Sequence, residues 1–250
     1  MLSVNGVDLY VEAKGSGKTI LFLHPPVLSG EVFRPQFEEL CDAYQVLMLD
    51  LRGHGRSAPS LVPWNFSDIV RDIKEVLDTL GLGQVWLCGY SSGASVAFEF
   101  SLQFPERVEG LIQVGAVPKV RGIIKMLAQA GAKMSRKHMV PLLALGGAFL
   151  NTDEFRLFWG LFRTARRTNG LDAVSFYRSY CTYECKKRLW MLDKPVLLVY
   201  GESDRLFKVY AKRMARQLPN CQVAFIAKAR HEIPGNQSAE LNVLIRNFVK

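Results

Sequence analysis

Short apolar segments alternate with amphipathic helical segments along most of this 250-residue chain, and no other feature limits its fold as much. Segments that are apolar throughout and separated by helices indicate a parallel sheet covered on both faces. We therefore predict the α/β fold class, with a mostly parallel sheet and helices on both sides. Asn5-Gly6 predicts a hairpin at the start, and in FSDIVRDIKEVLDTLGLG we expect Ser67 to cap a helix that Gly81 ends. The apolar segments read TILFLH, YQVLMLDL, QVWLCG, VEGLIQVG, PVLLVYG and CQVAFIA.

Residues 118–190 interrupt this alternation, because they have helical patterns, many aromatic side chains and no clear strand. We expect residues 1–117 and 191–250 to form the core domain and residues 118–190 to form a helical cap inserted into it. The formal net charge is +9, and residues 117–189 contain 14 Lys and Arg against 4 Asp and Glu. Such a segment is either a solvated basic face or a surface for an anionic substrate or acidic partner. Aromatic residues such as Phe158 and Trp159 either wall a pocket or pack the cap against the core.

The stretch CGYSSGAS joins a predicted strand to a predicted helix, which is the context of a nucleophile elbow. A turn this tight brings the residues two positions before and after the nucleophile into collision unless both are glycine. Ser91 has Gly89 and Gly93 at those positions, whereas Ser92 has Tyr90 two residues before it. The pattern therefore favours Ser91 as the nucleophile, at the N-terminus of a helix whose amides face developing negative charge.

A serine hydroxyl needs a base to take its proton and a carboxylate to orient that base. A nucleophile elbow is typically followed along the chain by the acid and then by the histidine, so we expect the order serine, acid, histidine. Asp204 follows the strand PVLLVYG, with Glu202 as the second choice of acid, and His231 follows CQVAFIA. His24 and His54 precede the serine and are excluded by that order, and His138 is interpreted as an exposed residue of the cap.

The chain resembles the α/β-hydrolase fold family over nearly its whole length. The resemblance implies a sheet of about eight strands with a helical cap after the sixth. It also implies a catalytic triad of Ser91, Asp204 and His231, and no catalytic role for the DLRGHGRS turn with Arg52, His54 and Arg56. The matching motifs are FLHPPVLSG, DLRGHGRS, GYSSGAS, FPERVEGLIQVG, GESDRLF and ARHEIP.

One motif departs from that family, whose members usually have His-Gly-X after the third strand and use the amide of X as an oxyanion donor. This chain has His24-Pro25-Pro26-Val27, and proline has no N–H. The second donor is expected from the residue after the nucleophile, Ser92. We expect the Val27 amide to complete the oxyanion hole; otherwise the hole is half-built and hydrolysis is slow.

These residues predict a serine hydrolase that acts on carboxylic esters or related acyl substrates through an acyl-enzyme. The alternatives are a C–C bond hydrolase or lactonase with the same triad, or a ligand-sensing, regulatory relative with slow turnover. We expect an apolar small-molecule substrate, no metal, no cofactor, no nucleic-acid partner and no membrane span. An odd number of cysteines, five, and the lack of a signal-peptide pattern favour free thiols and a cytoplasmic protein.

Overall fold

A computed structural model describes residues 1–136 and 139–249 of the chain. Within these residues, eight strands form one sheet in the order β1-β2-β4-β3-β5-β6-β7-β8. β1 and β2 pair antiparallel, as do β2 and β4, and every other neighbouring pair is parallel. The predicted fold class is confirmed. The strands are Leu2–Val4 (β1), Val7–Lys14 (β2), Thr19–Leu23 (β3), Gln45–Asp50 (β4), Val85–Tyr90 (β5), Val108–Val114 (β6), Val196–Gly201 (β7) and Cys221–Ile226 (β8).

Helices cover both faces of the sheet and bury two apolar clusters, one on each side. The central strands β3, β5 and β7 are buried along their whole length, which is why their sequences are apolar without alternation. The helices are Arg34–Leu40 (α1), Phe66–Thr79 (α2), Ser92–Gln103 (α3), Gly122–Arg136 (α4), Val140–Asn151 (α5), Phe155–Ala165 (α6), Gly170–Thr182 (α7), Ala211–Ala215 (α8), Ile233–Asn236 (α9) and Ser238–Phe248 (α10).

Two local expectations have different outcomes. Asn5 and Gly6 both adopt positive φ, 47° and 76°, as a two-residue hairpin turn between β1 and β2 requires. Ser67 does not cap α2. Asn65 does, because its side chain accepts a hydrogen bond from the Ser67 amide while the Asp68 carboxylate accepts one from the Asn65 amide.

The helices α4 to α7 lie between β6 and β7 in the chain, where the sequence places the cap. The two ends of this insertion meet: the Cys185 and Lys186 amides both donate to the Pro118 carbonyl, and Lys119 forms an ion pair with Glu184 at 2.7 Å. The loop after β3 is also tied to the insertion, because Ser29 and Thr164 hydroxyls lie 2.7 Å apart. The first and last residues of the insertion are therefore bonded to each other, and the insertion also contacts the loop that precedes α1.

None of the helices in residues 1–136 and 139–249 combines the length and the apolarity that crossing a bilayer requires.

Candidate active site

Ser91 lies at the sharp turn between β5 and α3, with φ of 55° and ψ of −117°. This is a strained conformation for a residue other than glycine, and strain of this kind is concentrated at functional sites. A Cβ at Gly89 would lie 2.5 Å from the Ala94 Cα, and one at Gly93 would lie 2.1 Å from the Leu23 carbonyl oxygen. Glycine is thus required on both sides of Ser91, but the collisions differ from the expected one: a side chain at 89 would meet the backbone at the start of α3, and one at 93 would meet the end of β3.

The two serines of the turn differ in what they reach. The Ser91 Oγ lies 2.9 Å from His231 Nε2, and Ser91 lines a cavity in the protein. Ser92 begins α3, is 2% exposed and lines the same cavity, but among the described residues only the Ser91 hydroxyl forms a hydrogen bond with His231. The structure therefore brings Ser91 to the predicted base.

His231 Nδ1 lies 2.9 Å from the Asp204 Oδ2, so its N–H donates to the carboxylate while Nε2 is free to accept from the serine. Asp204 also accepts hydrogen bonds from the amides of Leu206 and Phe207 through Oδ1. Burial raises the pKa of the Asp204 carboxyl, but His231 and the two amides outweigh burial and hold that pKa below its usual value. The carboxylate therefore stays charged, and it fixes the orientation and the tautomer of the imidazole.

Glu202, the second choice of acid, is exposed, and its backbone amide donates a hydrogen bond to the Ile226 carbonyl. No described residue other than Asp204 places a carboxylate in a hydrogen bond with His231. The geometry therefore favours Asp204 over Glu202.

Three residues that the sequence reasoning missed hold the His231 ring. The Phe207 ring stacks on the imidazole with centroids 3.8 Å apart, and the Tyr90 ring lies 5.4 Å away. Gly115 follows β6 with φ of 64°, and a Cβ there would lie 2.5 Å from the His231 Cε1. The only signal in the sequence is a glycine directly after a buried strand, which marks a close approach without saying what approaches.

The loop after β3 places Pro25 and Pro26 in the wall of the same cavity. Val27 has φ of 68°, so the chain turns one residue after the two prolines. Its carbonyl accepts a hydrogen bond of 2.8 Å from the Thr168 hydroxyl. No described residue accepts a hydrogen bond from the Val27 or Ser92 N–H. The use of both amides as oxyanion donors stays a prediction.

His24 and His54 are fully buried, and His54 Nδ1 lies 2.9 Å from the Arg52 carbonyl oxygen while its Nε2 has no hydrogen-bond partner among the described residues. His24 Nε2 accepts from the Leu51 amide, and its Nδ1 lies 2.8 Å from the Pro25 carbonyl oxygen. Burial lowers the pKa of His24 to about 4, and burial together with His24 lowers the pKa of His54 to about 3, so both rings are neutral at neutral pH. His138 lies outside the described residues.

The charged residues of the DLRGHGRS turn form ion pairs with residues outside the insertion. Arg52 binds both carboxylate oxygens of Asp72, and Arg56 pairs with Asp50 while its guanidinium lies 3.7 Å from the centroid of the Tyr10 ring. None of these side chains lines the cavity beside Ser91. These contacts fit the architectural role that the resemblance implies.

The cavity beside Ser91 has a volume of about 420 Å³, and its walls are mostly apolar. The insertion supplies one wall, from α4, α5 and α7. Phe158 and Trp159 are not among the lining residues that the structure describes, so the interpretation of these two as pocket walls is wrong. Phe158 packs against the core cluster and Trp159 is 45% exposed. The residues of the insertion that line the cavity are Ile124, Leu127, Ala128, Leu150, Tyr177 and Tyr180.

Comparison with known proteins agrees with this architecture. A family model described as "alpha/beta hydrolase fold" matches residues 18–235. A pimeloyl-[acyl-carrier protein] methyl ester esterase from Xanthomonas oryzae is 27% identical over 96% of this chain and 98% of its own. An esterase from Exiguobacterium antarcticum superposes with a TM-score of 0.89 at 20% identity, over 98% of this chain and 97% of its own. An enol-lactonase from Burkholderia xenovorans superposes with a TM-score of 0.89 at 16% identity, over 99% of this chain and 98% of its own.

Proposed function

This chain belongs to the α/β-hydrolase family, and we propose that it is a serine hydrolase that cleaves carboxylic esters or related acyl substrates. One observation carries the proposal: Ser91 Oγ, His231 and Asp204 form a continuous hydrogen-bonded chain that ends at an apolar cavity. A similar protein named as a methyl ester esterase and a structural neighbour named as an esterase support the choice of an ester.

In the proposed reaction, Ser91 Oγ attacks the carbonyl carbon of the substrate and its proton passes to His231 Nε2. The carbonyl oxygen becomes an oxyanion, which the Ser92 and Val27 amides would hold. When the tetrahedral intermediate collapses, the ester C–O bond breaks and His231 returns the proton to the leaving alcohol. Water then attacks the acyl-enzyme, again giving its proton to His231, and releases the acid and the free serine. Asp204 stabilises the imidazolium in both halves without taking the proton.

The apolar lining favours a small or medium acyl group without charge, since each buried charge in such a pocket would need a partner. The cavity of about 420 Å³ falls in the usual range for small-molecule sites.

Turnover of p-nitrophenyl butyrate tests the proposal. We expect steady release of p-nitrophenol by the wild-type protein and a loss of about 10³-fold or more in kcat for Ser91→Ala. Ser92→Ala is the matched control, because it removes a neighbouring hydroxyl and keeps the backbone amide. Equal activity in Ser91→Ala and the wild type would refute the proposal.

A second candidate, a slow-turnover ligand-binding relative, has one specific observation in its favour. Pro25 and Pro26 stand in the cavity wall where an oxyanion donor is expected, and neither can donate. The same assay separates the two candidates. A single burst of about one product per protein, with no steady phase, would favour the ligand-binding role over sustained hydrolysis.

A further inference from the structure

The outer surface of the insertion carries large apolar side chains that nothing in the described residues covers. On α5, Leu142, Leu145 and Phe149 follow one another at helical spacing and are 53%, 44% and 73% exposed. On α6, Phe155 is 75% exposed and its ring contacts that of Trp159. We call these five residues, together with the exposed α4 residues Ile123, Met126 and Leu127, the cap's apolar face. Helix α5 packs against both α4 and α6, and a group of exposed apolar side chains on neighbouring helices marks an interaction site.

The cavity beside Ser91 opens onto this face. Leu127 of α4 and Leu150 of α5 both line the cavity, and they are 57% and 56% exposed. Each therefore belongs to the cavity wall and to the outer surface at once. Whatever covers the cap's apolar face also surrounds the entrance to the cavity.

The surroundings of this face are strongly basic. Four basic side chains are exposed and form no ion pair with a described residue: Lys133 on α4, Arg156 and Arg163 on α6, and Arg166 directly after α6. The few acids of the insertion offset only part of this charge. Of its four acids, Asp172 is buried against Trp64 and Glu184 pairs with Lys119, while Asp153 and Glu154 are exposed next to Phe155 and offset part of the positive charge there.

This charge decides between the possible occupants. A second copy of the chain, joined face to face, would bring two basic surfaces together, and such like-charge contact opposes association. An anionic lipid surface instead offers apolar depth for the leucine and aromatic side chains and negative charge for the basic rim. Aromatic and leucine residues beside Lys and Arg are the composition that interfacial helices use.

We propose that the cap's apolar face docks on an anionic lipid surface, with the cavity entrance facing the lipid. The docking involves no bond change and needs no catalysis, so it goes beyond the proposed activity and can fail or succeed independently of it. In this position an apolar substrate dissolved in the lipid would reach Ser91 without crossing water.

Co-sedimentation with vesicles tests the docking. The probes are vesicles of phosphatidylcholine alone and of phosphatidylcholine with roughly one third phosphatidylglycerol, at low and at high NaCl concentration. We expect the wild-type protein to bind the anionic vesicles at least about tenfold more tightly than the neutral ones, and to be released by salt because screening weakens charge attraction.

Two double variants separate the apolar and the charged contributions. Leu145→Asn with Phe149→Asn should weaken binding to anionic vesicles by about tenfold or more, since both side chains lose their apolar burial. The matched control is Phe225→Asn with Val243→Asn, an exposed apolar pair on β8 and α10. Arg156→Glu with Arg163→Glu should weaken binding similarly, whereas Lys212→Glu with Arg213→Glu on α8 should have a small effect.

Each result decides the matter. Loss of binding in both cap variants, with both controls near wild type, supports the proposal. No sedimentation of the wild-type protein with anionic vesicles overturns it, as does equal binding by cap and control variants. A dimer in light scattering that Leu145→Asn with Phe149→Asn dissociates, without vesicle binding by the wild type, would assign the face to a second copy instead. Far-UV circular dichroism spectra and melting temperatures near those of the wild type show that each of the four variants has folded, whether or not the protein hydrolyses p-nitrophenyl butyrate.

Discussion

At the scale of single residues, the site depends on side chains that are missing as much as on those that are present. Glycines at 89 and 93 allow the backbone of β5 to turn under Ser91, and the glycine at 115 leaves the space that the His231 ring occupies. Asp204 holds that ring from one side by a hydrogen bond, and Phe207 holds it by stacking. The imidazole therefore has one orientation available before any substrate arrives.

Gly115→Ala tests the role of this space. Its added methyl would overlap the His231 Cε1 and would sit on a backbone with φ of 64°, so the imidazole should move away from Ser91. We expect kcat for p-nitrophenyl butyrate to fall by about 10²-fold or more, because small displacements in catalytic geometry have effects of that size. The control is Gly83→Ala, at a glycine with open space around it. A Gly115→Ala enzyme with wild-type kcat would show that the ring is not held there.

The choice of acid gives a second prediction at this scale. Asp204→Asn should reduce kcat by about 10³- to 10⁴-fold, because the amide no longer stabilises the imidazolium or fixes the tautomer. Glu202→Gln, two residues away and exposed, should change kcat by less than about twofold. The opposite ranking in steady-state kinetics would transfer the role to Glu202.

At the scale of elements, the sequence predicts turns and junctions that short motifs mark, and it does not predict which side chains face the cavity, because that depends on residues distant in sequence. The turn at Asn5-Gly6 follows from local sterics, and the glycines at 89 and 93 predict the junction of β5 with α3 even though the atom nearest a side chain at 93 belongs to Leu23 of β3. Whether an aromatic residue of the insertion faces the cavity depends on how α6 packs against other elements, and periodicity holds no information about that. Trp159 is consequently exposed while Ile124, an ordinary aliphatic residue, lines the cavity.

Helix α4 should therefore set the size of the substrate. Ile124→Ala enlarges the cavity, and we expect kcat/KM to rise for p-nitrophenyl octanoate relative to the butyrate, at a cost in stability of between about 2 and 5 kcal/mol. Trp159→Ala is the control, since it removes a large side chain of the same insertion that does not line the cavity. If Trp159→Ala shifts the preference and Ile124→Ala does not, the assigned wall is wrong.

At the scale of the whole molecule, two buried histidines link stability to pH. His24 and His54 are neutral in the folded protein, with pKa values lowered to about 4 and about 3 by burial, against 6.5 when exposed. As the pH falls below about 6.5, the two histidines of the unfolded chain take up protons while those of the folded protein do not. Stability therefore falls as the pH drops from neutrality toward 4. The Asp204 carboxylate has a lowered pKa in the fold, so it stabilises the fold while it is charged, and this contribution is lost only at a lower pH than the effect of the histidines.

Urea unfolding between pH 7 and pH 5 measures this linkage. The free energy of unfolding of the wild type should decrease with acidification, with each histidine contributing a slope that approaches about 1.4 kcal/mol per pH unit. In His54→Gln one of these contributions is absent, so the slope should be smaller by up to that amount. An identical slope in the wild type and in His54→Gln would mean that His54 takes up its proton at the same pH in the folded and the unfolded chain, so that its pKa is not lowered by folding.

The central claim is that Ser91, activated by His231 and Asp204, is the nucleophile, and a fluorophosphonate probe tests it most directly. Such a probe forms a phosphonyl ester with an activated serine, and peptide mass spectrometry locates the adduct. We predict one adduct per protein, on Ser91, with no labelling of Ser92 and a strong decrease of labelling in His231→Ala. Labelling of Ser92, or undiminished labelling in Ser91→Ala, would contradict the claim.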